Sequence, residues 1–114
     1  MAGCIFCGIG RGEVPARTVL ENEDVVAFHD LNPMAPTHVL VIPRRHIESI
    51  DAMTADDVDL IGRVFAAAKE VARQEGLAAD GYRLVTNIGA NGGQTVPHLH
   101  VHVLGGRHMK WPPG

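Results

Sequence analysis

The sequence predicts a single domain of mixed helix and strand, on three observations. Short β-branched runs bounded by turn residues lie towards both ends of the chain. One long amphipathic helical pattern lies between them. The last apolar run, Pro97-His98-Leu99-His100-Val101-His102-Val103-Leu104, alternates histidine with aliphatic residues at the period of a strand. With 114 residues, 46% of them hydrophobic and 20% charged, the chain has material for one modest core, so residues 1–114 read as one unit.

Taken in order, Cys4 to Gly12 is interrupted by glycine and reads as a short helix or turn that ends at Val14-Pro15. Arg17 to Glu21 and Val25 to His29 read as two strands joined at Asn22-Glu23-Asp24, and the two prolines of residues 30–36 stiffen the loop that follows. His38-Val39-Leu40-Val41-Ile42-Pro43 is almost wholly apolar and reads as a central strand ended by Pro43, with the basic turn Arg44-Arg45-His46 behind it. A helix is expected from about Ala55 to Glu75. Thr54 with Asp57 has the residue types of a capping box, and Gly76 can take a left-handed cap with Leu77 packing back. Val58, Ile61, Phe65, Ala68 and Ala72 recur at helical spacing as its buried stripe. Tyr82 to Asn87 is a further strand, Gly89 to Gln94 a glycine-rich loop, and His98 to Leu104 the last strand before Gly105-Gly106.

In that last strand the three histidines share one face, about 7 Å apart, while Leu99, Val101 and Val103 share the other. A merely solvated face would use Lys, Thr or Glu, whereas imidazole titrates near neutral pH and points to chemistry. Cys4-x-x-Cys7 is a second candidate: two thiolates need two further ligands for tetrahedral zinc, the alternative being two small buried residues.

Other classes are excluded by what the chain lacks. A net charge of −3 with scattered Lys and Arg offers no basic field for nucleic acid. No run reaches membrane-spanning length, and the N-terminal residues lack the charged and apolar regions of a leader, so a cytoplasmic protein with reduced cysteines is expected. Gly8-Ile9-Gly10-Arg11-Gly12 follows no strand and is no dinucleotide fingerprint; P-loop and HExxH motifs are missing.

Several segments, in this order, resemble the histidine triad superfamily. His98 to Leu104 is similar to its signature, His-x-His-x-His followed by two apolar residues, and Trp111-Pro112-Pro113-Gly114 resembles the ending of its Hint branch, the purine nucleoside phosphoramidases. Phe28-His29-Asp30, Asn32-Pro33 and Ala35-Pro36-Thr37-His38 resemble the nucleoside-binding segment; Asn87-Ile88-Gly89 with Gly92-Gly93-Gln94-Thr95-Val96 resembles the phosphate loop. The likeness covers nearly the whole chain. It implies an α+β fold: a five-stranded antiparallel sheet, one long helix, a short N-terminal helix, and a homodimer joining two sheets into ten strands.

The activity so implied is hydrolysis of the P–N bond of AMP or GMP conjugates with amines; the alternatives are dinucleoside polyphosphate hydrolysis and a nucleotide-binding regulatory or scaffold role. A neutral imidazole attacks phosphorus well if one ring nitrogen keeps its lone pair, which requires the other to donate to a fixed acceptor. His100, central in the triad, is the expected nucleophile, and His102 the group that meets a nonbridging oxygen or sets the local charge. His38 stands either in the proton-transfer network or as a strand-end histidine without a role. Gly92 and Gly93 let main-chain N–H groups approach the phosphoryl oxygens, and Thr95 adds a hydroxyl where Hint members commonly have Ser. By resemblance Phe6, Ile9, Phe28, His29, Leu31 and Leu40 line the base pocket, Asp30 takes the ribose hydroxyls, and Asn87, Gly93 and Gln94 serve the phosphate side. Trp111 is either core or reaches the partner's active site. In the superfamily's zinc-containing members the ligands correspond to Cys4, Cys7, His46 and His98, a closed structural set.

Overall fold

The computed structural model describes residues 3–114; the two residues before Gly3, part of the stretch read for a leader, lie outside them. The elements are α1 (Ile5–Gly10), β1 (Thr18–Glu21), β2 (Val25–His29), β3 (Thr37–Pro43), 3-10 turns at Ile50–Ala52 and Ala55–Asp57, α2 (Val58–Gln74), β4 (Arg83–Val85) and β5 (Val101–Gly105). The five strands make one antiparallel sheet in the order β1-β2-β3-β5-β4. This is the expected α+β arrangement.

Alternation along the strands divides the sheet into two faces. Val25, Ala27, Val39, Val41, Val101 and Val103, all inaccessible to solvent, pack with Leu60, Val64, Ala68 and Val71 of α2 into the main core. Val26, Phe28, Leu40 and Ile42 form a smaller cluster on the other face with Phe6, against which Ile9 and Val96 pack. The histidines lie on this second face, so α2 builds the domain and α1 helps to build the site.

The last strand starts later than expected. The β3–β5 ladder begins at Val101 opposite Val41, so His98, Leu99 and His100 approach the sheet without belonging to it. Their alternation persists, with Leu99 in the main core and His98 and His100 buried on the other side. Irregular hydrogen bonds replace the ladder there: His98 donates its N–H to the Val96 carbonyl at 2.9 Å and Leu99 to that of Ile47 at 2.7 Å.

Both helix signals are realised, although the helix proper starts at Val58 after a 3-10 turn. The Asp57 carboxylate accepts the Thr54 N–H at 2.8 Å to close the capping box. At the other end Gly76 and Leu77 donate to the Arg73 and Ala72 carbonyls, and Gly76 takes the left-handed conformation at φ +74°. The expected stripe needs correction. Leu60, Val64, Ala67, Ala68, Val71 and Ala72 are buried, while Val58 and Phe65 are exposed and Ile61 is half-buried. Two overlapping apolar stripes share Ala68 and Ala72, and the sheet takes the one centred on Val64.

Val64→Ala is expected to lower the unfolding free energy by about 2 kcal/mol through the lost methyl groups and the void they leave. Gly76→Ala is expected to lower it by about 1 kcal/mol through the left-handed conformation it forces on a Cβ. Both are read as a shift of the urea midpoint at unchanged slope.

Candidate active site and metal centre

Two histidine systems meet on the face opposite α2. In the first, the ring Nδ1 of His100 donates to the main-chain carbonyl of His98 at 2.7 Å. A carbonyl only accepts, so the proton sits on Nδ1 and Nε2 keeps its lone pair. This supplies the fixed acceptor that the sequence could not identify. Thr86, a residue that no sequence signal singles out, donates its hydroxyl to the His100 carbonyl at 2.9 Å.

The second system fixes the opposite tautomer on His102. The Met34 N–H donates to Nδ1 of His38 at 3.0 Å, so the proton of neutral His38 is on Nε2. That nitrogen lies 2.8 Å from Nδ1 of His102 and 3.4 Å from the Asp30 carboxylate. His38 donates, His102 accepts at Nδ1, and His102 keeps its own proton on Nε2. Burial pushes His38 below its ordinary range, against the pull of Asp30. Burial, then the neighbouring His100 and His38, push His102 down to about 4. Ring centroids of His100 and His102 stand 5.1 Å apart, so a ring with a free lone pair and a ring with a free N–H are neighbours.

These two histidines line a pocket of about 300 Å³. Phe6, Ile9, Phe28, His29, Asp30, Leu31, Leu40 and Thr95, all named from the sequence, line it too, joined by Ile5, Val14, Pro15, Ala16, Arg17 and Val96. Phe6 meets Phe28 edge to face at 5.5 Å and His100 at 5.3 Å, so the apolar end runs directly into the imidazoles. The segment before β1 had no motif to mark it as wall.

The glycine loop stands outside this lining. Asn87 donates its amide to the Gly92 carbonyl at 2.7 Å, and the Gln94 side chain donates to Glu48 and Val96 carbonyls and accepts from Gly89. A Cβ on Gly92 would sit 2.2 Å from the Ile88 carbonyl oxygen, so only glycine fits. The Gly93 N–H, expected to face phosphate, donates within the loop to Ala90 at 3.1 Å, because the tight turn needs that bond itself. Trp111 is 82% exposed and is not part of the core.

Cys4, Cys7, His46 and His98 converge beside the pocket, with donor atoms all within 4.8 Å of one another. Sulfur-to-nitrogen separations run from 3.2 to 3.7 Å, and the two Nδ1 atoms are 3.2 Å apart. Tetrahedral zinc with bonds of ~2.3 Å to sulfur and ~2.0 Å to nitrogen would place these atoms roughly 3.5 and 3.3 Å apart. The group fits. His98 is fully buried and donates Nε2–H to the Pro43 carbonyl at 2.8 Å, which turns its Nδ1 lone pair towards the centre. Cys4 accepts the Cys7 N–H at 3.3 Å as the cap of α1, so the helix start itself sets the thiol spacing. Burial, then the neighbouring Cys4, push the Cys7 thiol up.

Comparison with known proteins agrees with this geometry. The HIT domain model matches residues 11–109. The 14 kDa zinc-binding protein of Zea mays is 48% identical over 112 residues, 96% of this chain and 87% of the maize protein. A HIT family hydrolase from Legionella pneumophila superposes with a TM-score of 0.95 at 49% identity, covering 98% of this chain and all of that one. A histidine triad nucleotide-binding protein from Candida albicans superposes with a TM-score of 0.82 at 28% identity, over 96% of this chain and 83% of its own. No described helix is long and apolar enough to cross a membrane.

Because folding holds His102 neutral from an ordinary 6.5 down to about 4, the unfolded chain binds the extra proton between those values. The stabilisation is complete above about 6.5 and is lost as pH falls towards about 4. Urea midpoints across that window should fall, and the His102 ring should titrate near the lower value by NMR. Cys7→Ser should weaken zinc binding at least about tenfold, read by competition with a chromogenic chelator.

Proposed function

This chain belongs to the HIT-domain family, and from that premise we propose that it hydrolyses purine nucleoside 5′-phosphoramidates through a nucleotidyl intermediate on His100. The observation that supports this most is the pair of opposed tautomers: a lone pair on His100 Nε2 beside an N–H on His102 Nε2, each set by a main-chain partner at the end of its chain of bonds. At family level the reading is a nucleotide-binding hydrolase.

In the first step Nε2 of His100 attacks phosphorus, the P–N bond breaks, and the amine leaves with a proton taken from solvent. The imidazole then carries positive charge, and the His98 carbonyl stabilises the proton left on Nδ1. His102 donates Nε2–H to a nonbridging oxygen as negative charge gathers there. In the second step water attacks phosphorus and gives up a proton to solvent, the P–Nε2 bond breaks with its electron pair returning to His100, and the nucleotide departs. Phe6, Phe28 and Leu40 supply an apolar slot of a size suited to one nucleoside, and Asp30 at its mouth can accept from ribose hydroxyls. The closed Cys2His2 set, when loaded with zinc, supplies structure and leaves no open position for water.

A homodimer completes the reading. β4 is an edge strand with half-buried side chains, and α2 leaves Val58 and Phe65 exposed, features that suit a second copy. Such pairing would let the exposed Trp111 reach the partner's pocket.

Hydrolysis of adenosine 5′-phosphoramidate by the purified protein is the test, with a diadenosine polyphosphate run beside it. Turnover of the P–N substrate that falls by roughly 10³-fold or more in His100→Ala is the expected result. Preference for the diadenosine compound would replace the substrate class, and no turnover with intact AMP binding would favour a nucleotide-binding regulator.

A further inference from the structure

We propose that the Cys4, Cys7, His46 and His98 group positions the nucleophile, with His98 as the shared piece. Its side chain stands in the metal centre and its carbonyl holds the proton of His100. This rests on His100 being the attacking residue, and it makes the metal centre, which touches no substrate, a determinant of the chemical step.

The argument starts from where the sheet ends. The ladder begins at Val101, so no strand pairing fixes the His98 carbonyl. Its place is set instead by four local restraints. Two are main-chain bonds, His98 N–H to Val96 at 2.9 Å and Leu99 N–H to Ile47 at 2.7 Å. The third is the bond from His98 Nε2 to Pro43 at 2.8 Å, and the fourth is the metal group, where Nδ1 lies 3.2 Å from the His46 nitrogen and 3.4 and 3.5 Å from the two sulfurs.

The fourth restraint changes strength with the metal. With Nε2–H held by Pro43, the neutral His98 ring presents its Nδ1 lone pair to the two sulfurs and to Nδ1 of His46. A divalent cation would bind all four of these atoms at once and hold them far more rigidly than the hydrogen bonds that a thiol or a neutral imidazole can offer. Without it, the His98 side chain keeps only hydrogen bonds on its Nδ1 side and is freer to shift, and the carbonyl of the same residue, which orders His100, shifts with it. Thr86 pins the carbonyl of His100 itself at 2.9 Å, so the nucleophile is held on one side by a hydroxyl and on the other by the residue it shares with the metal centre. A displacement of about 1 Å at a reacting atom is enough to cost on the order of 10²-fold in rate.

The test compares zinc-loaded protein, the same protein stripped by a chelator, and Cys4→Ser, which keeps an oxygen to cap α1; circular dichroism reports folding. Nitrogen-15 NMR should show one Nδ1–H tautomer for His100 in the loaded form and a mixture after stripping. The kcat should fall by about 10²-fold, with KM changed less than about twofold. In a second arm cobalt(II) replaces zinc, and AMP binding should shift the visible cobalt bands, since coupling between two sites is reciprocal. A stripped, folded protein that keeps its His100 tautomer and its kcat would overturn the proposal. Should stripping unfold the chain, the cobalt arm decides, and bands unmoved by bound AMP overturn it. Should the protein hydrolyse no phosphoramidate at all, the tautomer and the cobalt bands still report whether the two sites are linked.

Discussion

The pairing of β3 with β5 is the constraint on which the rest depends. Its register sets Val39 opposite Val103 and Val41 opposite Val101 on the α2 side, and His38 opposite Leu104 and Leu40 opposite His102 on the other. A slip of one residue would turn valines towards the pocket and bury imidazoles against α2. The four valines, none of them accessible to solvent, therefore hold the active-site face in place although they never touch it. The contact between His38 and His102 is the diagonal neighbour relation of this same ladder.

On that frame the electronic state of each imidazole is decided by backbone. One main-chain N–H, from Met34, orders His38 and through it His102; one main-chain carbonyl, from His98, orders His100. Two neighbouring histidines of identical chemistry thus become an acceptor and a donor, with no salt bridge to either among the described residues. Burial reinforces the assignment by holding His102 neutral far below its ordinary range. A cationic His102 would deprive the Nδ1–Nε2 relay of its acceptor and bring positive charge against His100.

The site is assembled where regular structure stops. His98 and His100 precede the ladder, Cys4 caps a six-residue helix, and His46 lies in the turn after β3. Such segments have few repeating hydrogen bonds, so their geometry is set by particular contacts: the Pro43 carbonyl, the Ile47 carbonyl, the Thr86 hydroxyl and the four-residue sulfur and nitrogen cluster. The glycine loop follows the same logic inwardly. The Gly89, Gly93 and Gln94 amides and the Asn87 side chain are committed to its own shape, and the Gln94 side chain ties it to the Glu48 and Val96 carbonyls.

By itself the sequence determined what depends on local spacing. Alternation in residues 98–104 gave the two faces, Thr54 with Asp57 and Gly76 gave the ends of the helix, and the aromatic and aliphatic residues around Phe28 gave most of the pocket wall, because caps and strand periods are properties of neighbours along the chain. The four ligand types were legible from Cys4-x-x-Cys7 and the histidines, but only through resemblance, since nothing local says that residues 46 and 98 meet residues 4 and 7. Tertiary structure alone decided the rest. It chose the Val64 stripe over that of Val58 and Phe65, because two stripes fit one helix and only the sheet can select between them. It also supplied the carbonyls and N–H groups that fix each tautomer, because every residue carries the same backbone groups and only folding in space determines which one faces an imidazole.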